Sequence, residues 1–250
     1  MIRPLTFSTS AARAAYLNEP TGSTVKFGFN VPQTGPYAEE GLDELRAQQL
    51  AVEHLNGQGD GGMLNTFSSK VLDGTGILGK KVEFVTGDTQ TKSDAARASA
   101  KSMIEKDGVV MINGGSSSGV AIAVQGLCQE AGIIFMAGLT HSNDTTGKDR
   151  KANGFRHFFN AYMSGAALAP VLEKAYGSDR RAYHLTADYT WGYTQQESIA
   201  SATELSSRIC SSMMSFCLPS ICATSSGLSS GSSFVLISSS ENPRYLRESI

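Results

Sequence analysis

The chain reads as an α/β protein whose strands form a doubly wound parallel sheet, followed by the start of a second α/β unit. Short β-branched runs alternate with stretches of helical periodicity, and such alternation places strands in parallel with helices on both faces. Glycine- and hydroxyl-rich turns follow the strands instead of the two-residue hairpin turns of an antiparallel sheet. Val109-Val110-Met111-Ile112-Asn113-Gly114-Gly115-Ser116-Ser117-Ser118-Gly119 shows both features at once: a strand stops at two glycines and a helix begins.

The elements follow in order. Val25 to Val31 is the first strand, and Gly35-Pro36-Tyr37 is a turn. The next helix carries Leu42, Leu45, Val52 and Leu55 on one face and ends at Gly57. Residues 57–79 are rich in Gly, Asp, Asn and Ser and form a long surface loop. Lys81 to Val85 is the second strand. Thr91-Lys92-Ser93-Asp94 fits a capping box before a helix bearing Ala96, Ala100, Met103 and Ile104. Val109 to Ile112 is the third strand, and its helix buries Val120, Val124 and Leu127. Ile133 to Met136 is the fourth, and Phe155 to Asn160 the fifth. A helix from Ser164 to Tyr176 contains Pro170, which kinks it or delays its start. A strand at Ala182–Thr186 and a helix from Trp191 to Glu204 complete the alternation.

Composition narrows the function classes. A net charge of −2 without a basic stripe gives a nucleic-acid partner no electrostatic support. No run of 18 apolar residues marks a membrane span. The first 24 residues are an irregular leader; they hold Arg3 and Arg13 but no apolar core of the kind an export signal needs. Cys128 falls on the apolar side of a helix, as a small core residue does. Cys210, Cys217 and Cys222 have no histidine nearby and match no zinc spacing, so neither metal nor cofactor is expected. The last 46 residues hold 16 serines, as many as the 204 before them, and contain no Lys, Asp or His. Residues 205–250 are therefore expected to have little order, as a low-complexity tail or as out-of-frame sequence.

Ligands of parallel sheets bind beyond the carboxyl ends of the strands. Four loops lie there: Asn30–Tyr37, Gly114–Gly119, Gly138–Asp144 and Ala187–Trp191. At Ser116-Ser117-Ser118 the helix N-terminus gathers unpaired N–H groups and the positive dipole end, a place for a carboxylate or phosphate. A serine there can instead serve only as the helix cap. Gly115-Ser116-Ser117-Ser118-Gly119 also matches G-x-S-x-G, with Ser117 as a hydrolase nucleophile. That chemistry needs a base among His141, His157 and His184 and an acid among Asp144, Asp149, Asp179 and Asp188. Leu139 and Thr140 offer a backbone N–H and a hydroxyl to the same anion, or form an ordinary turn. Tyr37 is a wall for an apolar ligand body or packs its own loop. Trp191, the single tryptophan, is a lid or a core residue, and Asp188 pairs with a ligand amine or caps the helix.

Val25 to Ala38, Gly87-Asp88-Thr89-Gln90, the Gly114–Gly119 loop, Gly138-Leu139-Thr140 and Asp188-Tyr189-Thr190-Trp191-Gly192 together resemble the type I periplasmic substrate-binding proteins of ABC transporters, the leucine/isoleucine/valine- and amide-binding family. The resemblance runs from Val25 to Glu204. It implies two lobes, with lobe 1 at residues 25–161 and the start of lobe 2 at 162–204, closing on a small amino acid, amide or urea-like solute. It implies a membrane permease as partner and a periplasmic location. Ser117 or Ser118 would hold the ligand carboxylate, Leu139 and Thr140 would assist, and Tyr37 and Trp191 would enclose the body. The family's second lobe continues where the serine-rich tail begins here, so the resemblance implies a truncated, weakly binding form. A serine hydrolase using Ser117 and a cytoplasmic small-molecule sensor on the same fold stand as alternatives.

Overall fold

The computed structural model describes residues 18–20, 22–62, 66, 69, 72–177, 181–203, 206–208, 234–239 and 242–244. Residues 1–17 of the expected leader and most of the serine-rich tail, including its three cysteines, lie outside the described residues.

Five parallel strands form the first sheet: β1 (Thr24–Val31), β2 (Lys81–Asp88), β3 (Met111–Gly114), β4 (Ile134–Ala137) and β5 (Gly154–Arg156), in spatial order β2-β1-β3-β4-β5. Helix α1 (Ala38–Leu55) covers one face, where the odd residues of β1 meet Leu45 and Val52. Helices α2 (Ser93–Ser102) and α3 (Ser118–Ala131) cover the other, around Ile112 and Phe135. Gly28 faces this second layer. A Cβ there would lie 2.8 Å from the Met103 sulfur, so its absence leaves room for the Met103 side chain, just beyond α2, against β1. Cys128 is fully buried in the same layer, which pushes its thiol up to about 12.

Several expectations need correction. Leu42 is 37% exposed, because the buried stripe of α1 runs through Gly41, Glu44, Leu45 and Val52. No capping box forms at α2. Thr91 has a left-handed φ of 57°, and Lys92 is an extended N-cap without a side-chain bond. After Ser102 the helix widens into a π-turn, Met103–Asp107, that ends at Gly108. The fifth strand is shorter than expected and ends at Arg156.

The second unit begins with α4 (Ala161–Tyr176), capped by the Asn160 side chain, which accepts from Met163 N at 3.0 Å. The helix starts earlier than its sequence pattern implies and runs through Pro170. Strand β6 (Arg181–Leu185) and α5 (Thr190–Ala202) follow. The helices meet where α4 has no side chain, since a Cβ on Gly165 would lie 2.7 Å from the Ser198 backbone. Leu172, Ala182 and Ile199 form the small core beneath. Three short strands fall within the tail expected to lack order: β7 (Ser206–Arg208), β8 (Phe234–Ser239) and β9 (Asn242–Arg244). They join β6 in the order β7-β6-β8-β9, with β8 antiparallel to it.

Candidate functional site

The chain reverses its winding between β1 and β3, because the β1–β2 connection steps to one side of β1 and the β2–β3 connection crosses back over β1 to the other. Loops diverge at such a switch point and leave a crevice. Here it is a cleft of about 780 Å³. The β1–α1 turn contributes Gly35, Pro36 and Tyr37, and the start of α1 contributes Glu39 and Glu40. The β3–α3 turn contributes Ser116 and Ser118, and the segment after β4 contributes Leu139 and His141. Phe158, Phe159, Tyr189, Trp191 and Gln195 close the far side.

The β1–α1 turn is pinned from below. Asp88, at the end of β2, accepts from Gln33 N at 2.9 Å, Thr34 N at 3.2 Å, the Thr34 hydroxyl at 2.6 Å and Gln90 N at 2.8 Å. Partial burial opposes ionisation, yet these bonds hold the Asp88 carboxyl below the usual range. Tyr37 rests over the cleft, its hydroxyl 3.3 Å from that of Tyr189 on the opposite side.

The β3–α3 turn depends on Gly114 and Gly115, both at positive φ (142° and 78°). A Cβ on Gly114 would lie 2.1 Å from the Asn30 carbonyl oxygen. The turn delivers Ser117 as the N-cap of α3, but its side chain makes no capping bond. The first-turn N–H groups of a helix have no partner within it. Ser118, 2% exposed, accepts at Oγ from the Thr140 hydroxyl at 2.7 Å and from Ser142 N at 3.1 Å. Both lone pairs are then engaged, so Ser118 meets the cleft as a donor only.

Of the residues singled out in the sequence, Tyr37, Ser118, Leu139 and Trp191 come together on the cleft. Ser117 and Thr140 do not line it. Thr140 is fully buried and spends its hydroxyl on Ser118, while Arg156 donates to the Thr140 carbonyl at 2.7 Å. Asp188 is exposed and accepts from the Tyr193 hydroxyl, away from the cleft. Among the described residues no histidine bonds to Ser117. His157 engages the Ala137 carbonyl, and His141 packs edge-on against Phe158 and tilted against Phe159, with ring centres 4.9 and 4.5 Å away. Burial, helped by the Arg156 charge, lowers His141 to about 4, so it is neutral at pH 7.

Four contributors escape the sequence pattern. Phe158 and Phe159 were assigned to a strand. Tyr189 sits beside Trp191 with ring centres 5.9 Å apart, and burial followed by the Tyr37 hydroxyl raises its phenol well above the usual range. Glu44 is 9% exposed on the sheet-facing side of α1, and its Oε2 accepts from the Ser116 hydroxyl at 2.9 Å. The signal for Glu44 lay in its spacing with Leu45 and Val52, where an acid interrupts an apolar stripe.

A polar seam fixes the second unit against the first. The Ser142 and Thr190 hydroxyls are 2.8 Å apart, Thr190 donates to Asp144 at 2.6 Å, and Asn143 donates to Ser198 at 3.0 Å. The seam places the N-terminus of α5, and Trp191 with it, over the cleft. Two α/β units with a ligand-sized cleft at the switch point define a protein of the periplasmic-binding-protein type I fold.

The family model described as periplasmic binding protein matches residues 24–205, well over half of the chain, and the chain belongs to that family. Leu/Ile/Val-binding protein homolog 7 of Brucella abortus (strain 2308) is 29% identical over 116 residues, which are 46% of this chain and 25% of that protein. The branched-chain amino acid transporter substrate-binding protein LivJ of Streptococcus pneumoniae, solved with isoleucine, is 16% identical with a TM-score of 0.60. That match covers 81% of this chain and 54% of the other. An ABC-transporter solute-binding protein of Rhodopseudomonas palustris BisB5, solved with 3,4-dihydroxybenzoic acid, is 22% identical with a TM-score of 0.61. That match covers 76% of this chain and 46% of the other. The chain thus spans about a quarter of the curated relative and about half of each solved structure. These relatives are named as binding proteins, not as enzymes. No helix among the described residues is long and apolar enough to cross a membrane.

Proposed function

We propose that this chain is the solute-binding component of an ABC importer and acts in the periplasm without catalysis. In this reading it captures a small amino acid between its two lobes for delivery to a membrane permease. The observation that carries the proposal is the start of α3. Uncapped N–H groups and a donor-only Ser118 open onto an aromatic-walled cleft. Such an arrangement holds a carboxylate by charge-assisted hydrogen bonds and leaves its bonds intact.

In this reading Ser118 and the first-turn N–H groups bind the carboxylate, and Ser117 assists through its backbone position. Thr140 orients Ser118 from behind. Leu139 lies under the ligand body, and Tyr37 and Trp191 enclose it. Among the described residues neither Arg nor Lys lines the cleft, whereas the acidic side chains of Glu39 and Glu40 do. The field therefore runs from a positive helix end to an acidic rim, which suits a zwitterion better than an aromatic acid. The Leu/Ile/Val-binding name of the Brucella relative and the isoleucine in the pneumococcal structure are in keeping with this choice.

Calorimetry of the 250-residue chain with L-leucine, L-isoleucine, acetamide, urea and 4-hydroxybenzoate tests the proposal. Since the chain spans about half of its structural relatives, saturation is expected in the millimolar range, with an amino acid preferred. Tyr37→Ala and Trp191→Ala should each weaken binding at least about tenfold. Binding of 4-hydroxybenzoate with exclusion of the amino acids would overturn the ligand class. Fluorophosphonate labelling that disappears in Ser117→Ala would overturn the non-catalytic reading.

A further inference from the structure

Behind the serine turn lies a buried acid that the binding proposal does not use. Glu44 projects from α1 to the ends of β3 and β4. Its Oε2 accepts from Ser116, which lines the cleft. Its Oε1 accepts from Gln48 Nε2 at 3.3 Å, and the same amide donates to Asn113 at 2.6 Å. A Cβ on Gly138 would lie 1.8 Å from Oε1, so the carboxyl occupies space that only glycine leaves open.

Among the described residues no cation neutralises it. On its own helix the charged neighbour is Glu40, one turn back, which has the same sign. The β3–α3 turn brings Ser116 and, through Gln48, Asn113, both uncharged. Toward β4 and β5 the titratable group is His157, bonded to the Ala137 carbonyl beside Gly138. Arg156 is turned instead to the carbonyls of Thr140 and Ser142.

We propose that the protonation state of Glu44 selects the kind of ligand atom that Ser116 accepts in the cleft. An ionised carboxylate can only accept, so the Ser116 hydroxyl must donate to it and offers the ligand a lone pair. A protonated carboxyl can donate to Ser116 Oγ, which releases the serine hydrogen toward the ligand. Binding a carboxylate at Ser116 then takes up one proton from solvent at Glu44, while a ligand N–H is favoured when that proton leaves. Burial, opposed by the Ser116 bond and reinforced by Glu40, pushes Glu44 up to about 7, so both states are populated near neutrality.

The proposal rests on the cleft being the ligand site, and its test separates the two. The carboxyl resonances of ¹³C-glutamate-labelled chain are followed from pH 5 to 8.5, and L-isoleucine is titrated calorimetrically over the same range in buffers of different ionisation enthalpy. One glutamate should titrate near neutrality, and in Ser116→Ala it should move higher. Isoleucine affinity should fall above neutrality by up to about tenfold per pH unit, with proton uptake on binding. Ser116→Ala and Glu44→Gln should both flatten this profile, and the serine variant keeps the test intact if the glutamine variant misfolds. Binding with a pH-independent affinity, or a Glu44 that titrates in the ordinary carboxylate range, overturns the selector role and leaves the binding site standing. No isoleucine binding at any pH overturns both.

Discussion

Ser118→Ala removes one oxygen and leaves two donors in a buried place. In the native chain that oxygen takes the Thr140 hydroxyl at 2.7 Å and the Ser142 N–H at 3.1 Å. Thr140 has a partial alternative, since Thr145 Oγ1 lies 3.4 Å away. Its loss is therefore expected at the low end of the cost of a stranded buried donor, about 1 kcal/mol. The Ser142 N–H has no comparable substitute, and its loss adds about 1–2 kcal/mol. The sum of about 2–3 kcal/mol lowers Tm by about 4–12 °C for a chain of this size. Differential scanning calorimetry measures it, with Ser93→Ala as the control, because Ser93 is exposed at the start of α2. A Tm shift below about 1 °C for Ser118→Ala, or equal shifts for the two variants, would refute the hydrogen-bond argument and with it the donor-only character of Ser118.

Other consequences follow from the same geometry. Gly138→Ala places a methyl 1.8 Å from Glu44 Oε1 and must displace that carboxyl; a ¹³C-glutamate spectrum should show the perturbed resonance return toward the ordinary range. Glu44 rises from 4.5 to about 7, so the folded state holds a proton that the unfolded chain releases, and its contribution is lost as pH rises through that window. Glu44→Gln should therefore gain stability relative to the native chain between pH 4.5 and 7, by up to about 3 kcal/mol, as read from urea midpoints. His141 has the opposite sign. Its ring is lowered to about 4, so stability falls as pH drops below 6.5, and His141→Phe should lessen that acid sensitivity. Asp88→Ala should speed amide exchange at Gln33, Thr34 and Gln90, whose N–H groups it accepts, while the stability loss at neutral pH vanishes toward acid.

The sheet was legible because its signals are local. Val25 to Val31 is apolar enough for a strand buried on both faces, and Gly114-Gly115 marks a turn that no other residue pair accommodates. The site was half legible for the opposite reason. Loop positions follow from strand order, so Tyr37, Ser118, Leu139 and Trp191 were placed on the cleft. Hydrogen-bond polarity does not follow from sequence. Nothing in Gly138-Leu139-Thr140 says that the threonine turns inward to Ser118, and nothing in Ser116-Ser117-Ser118 says which hydroxyl faces the ligand. Glu44 was hidden by its type, because an acid on a helix is ordinarily solvated. Phe158 and Phe159 were hidden by strand-like composition, although β5 stops at Arg156 and frees both rings to meet His141.

Trp191 is the single tryptophan of the chain and lies on the cleft, so its fluorescence reports on the site alone. Titration of the folded chain with L-leucine or L-isoleucine should produce a saturable change in that emission, abolished in Ser118→Ala variants that remain folded. An emission that stays constant while either amino acid binds by calorimetry, or that responds unchanged in Ser118→Ala, would contradict a ligand held between the α3 N-terminus and the aromatic wall.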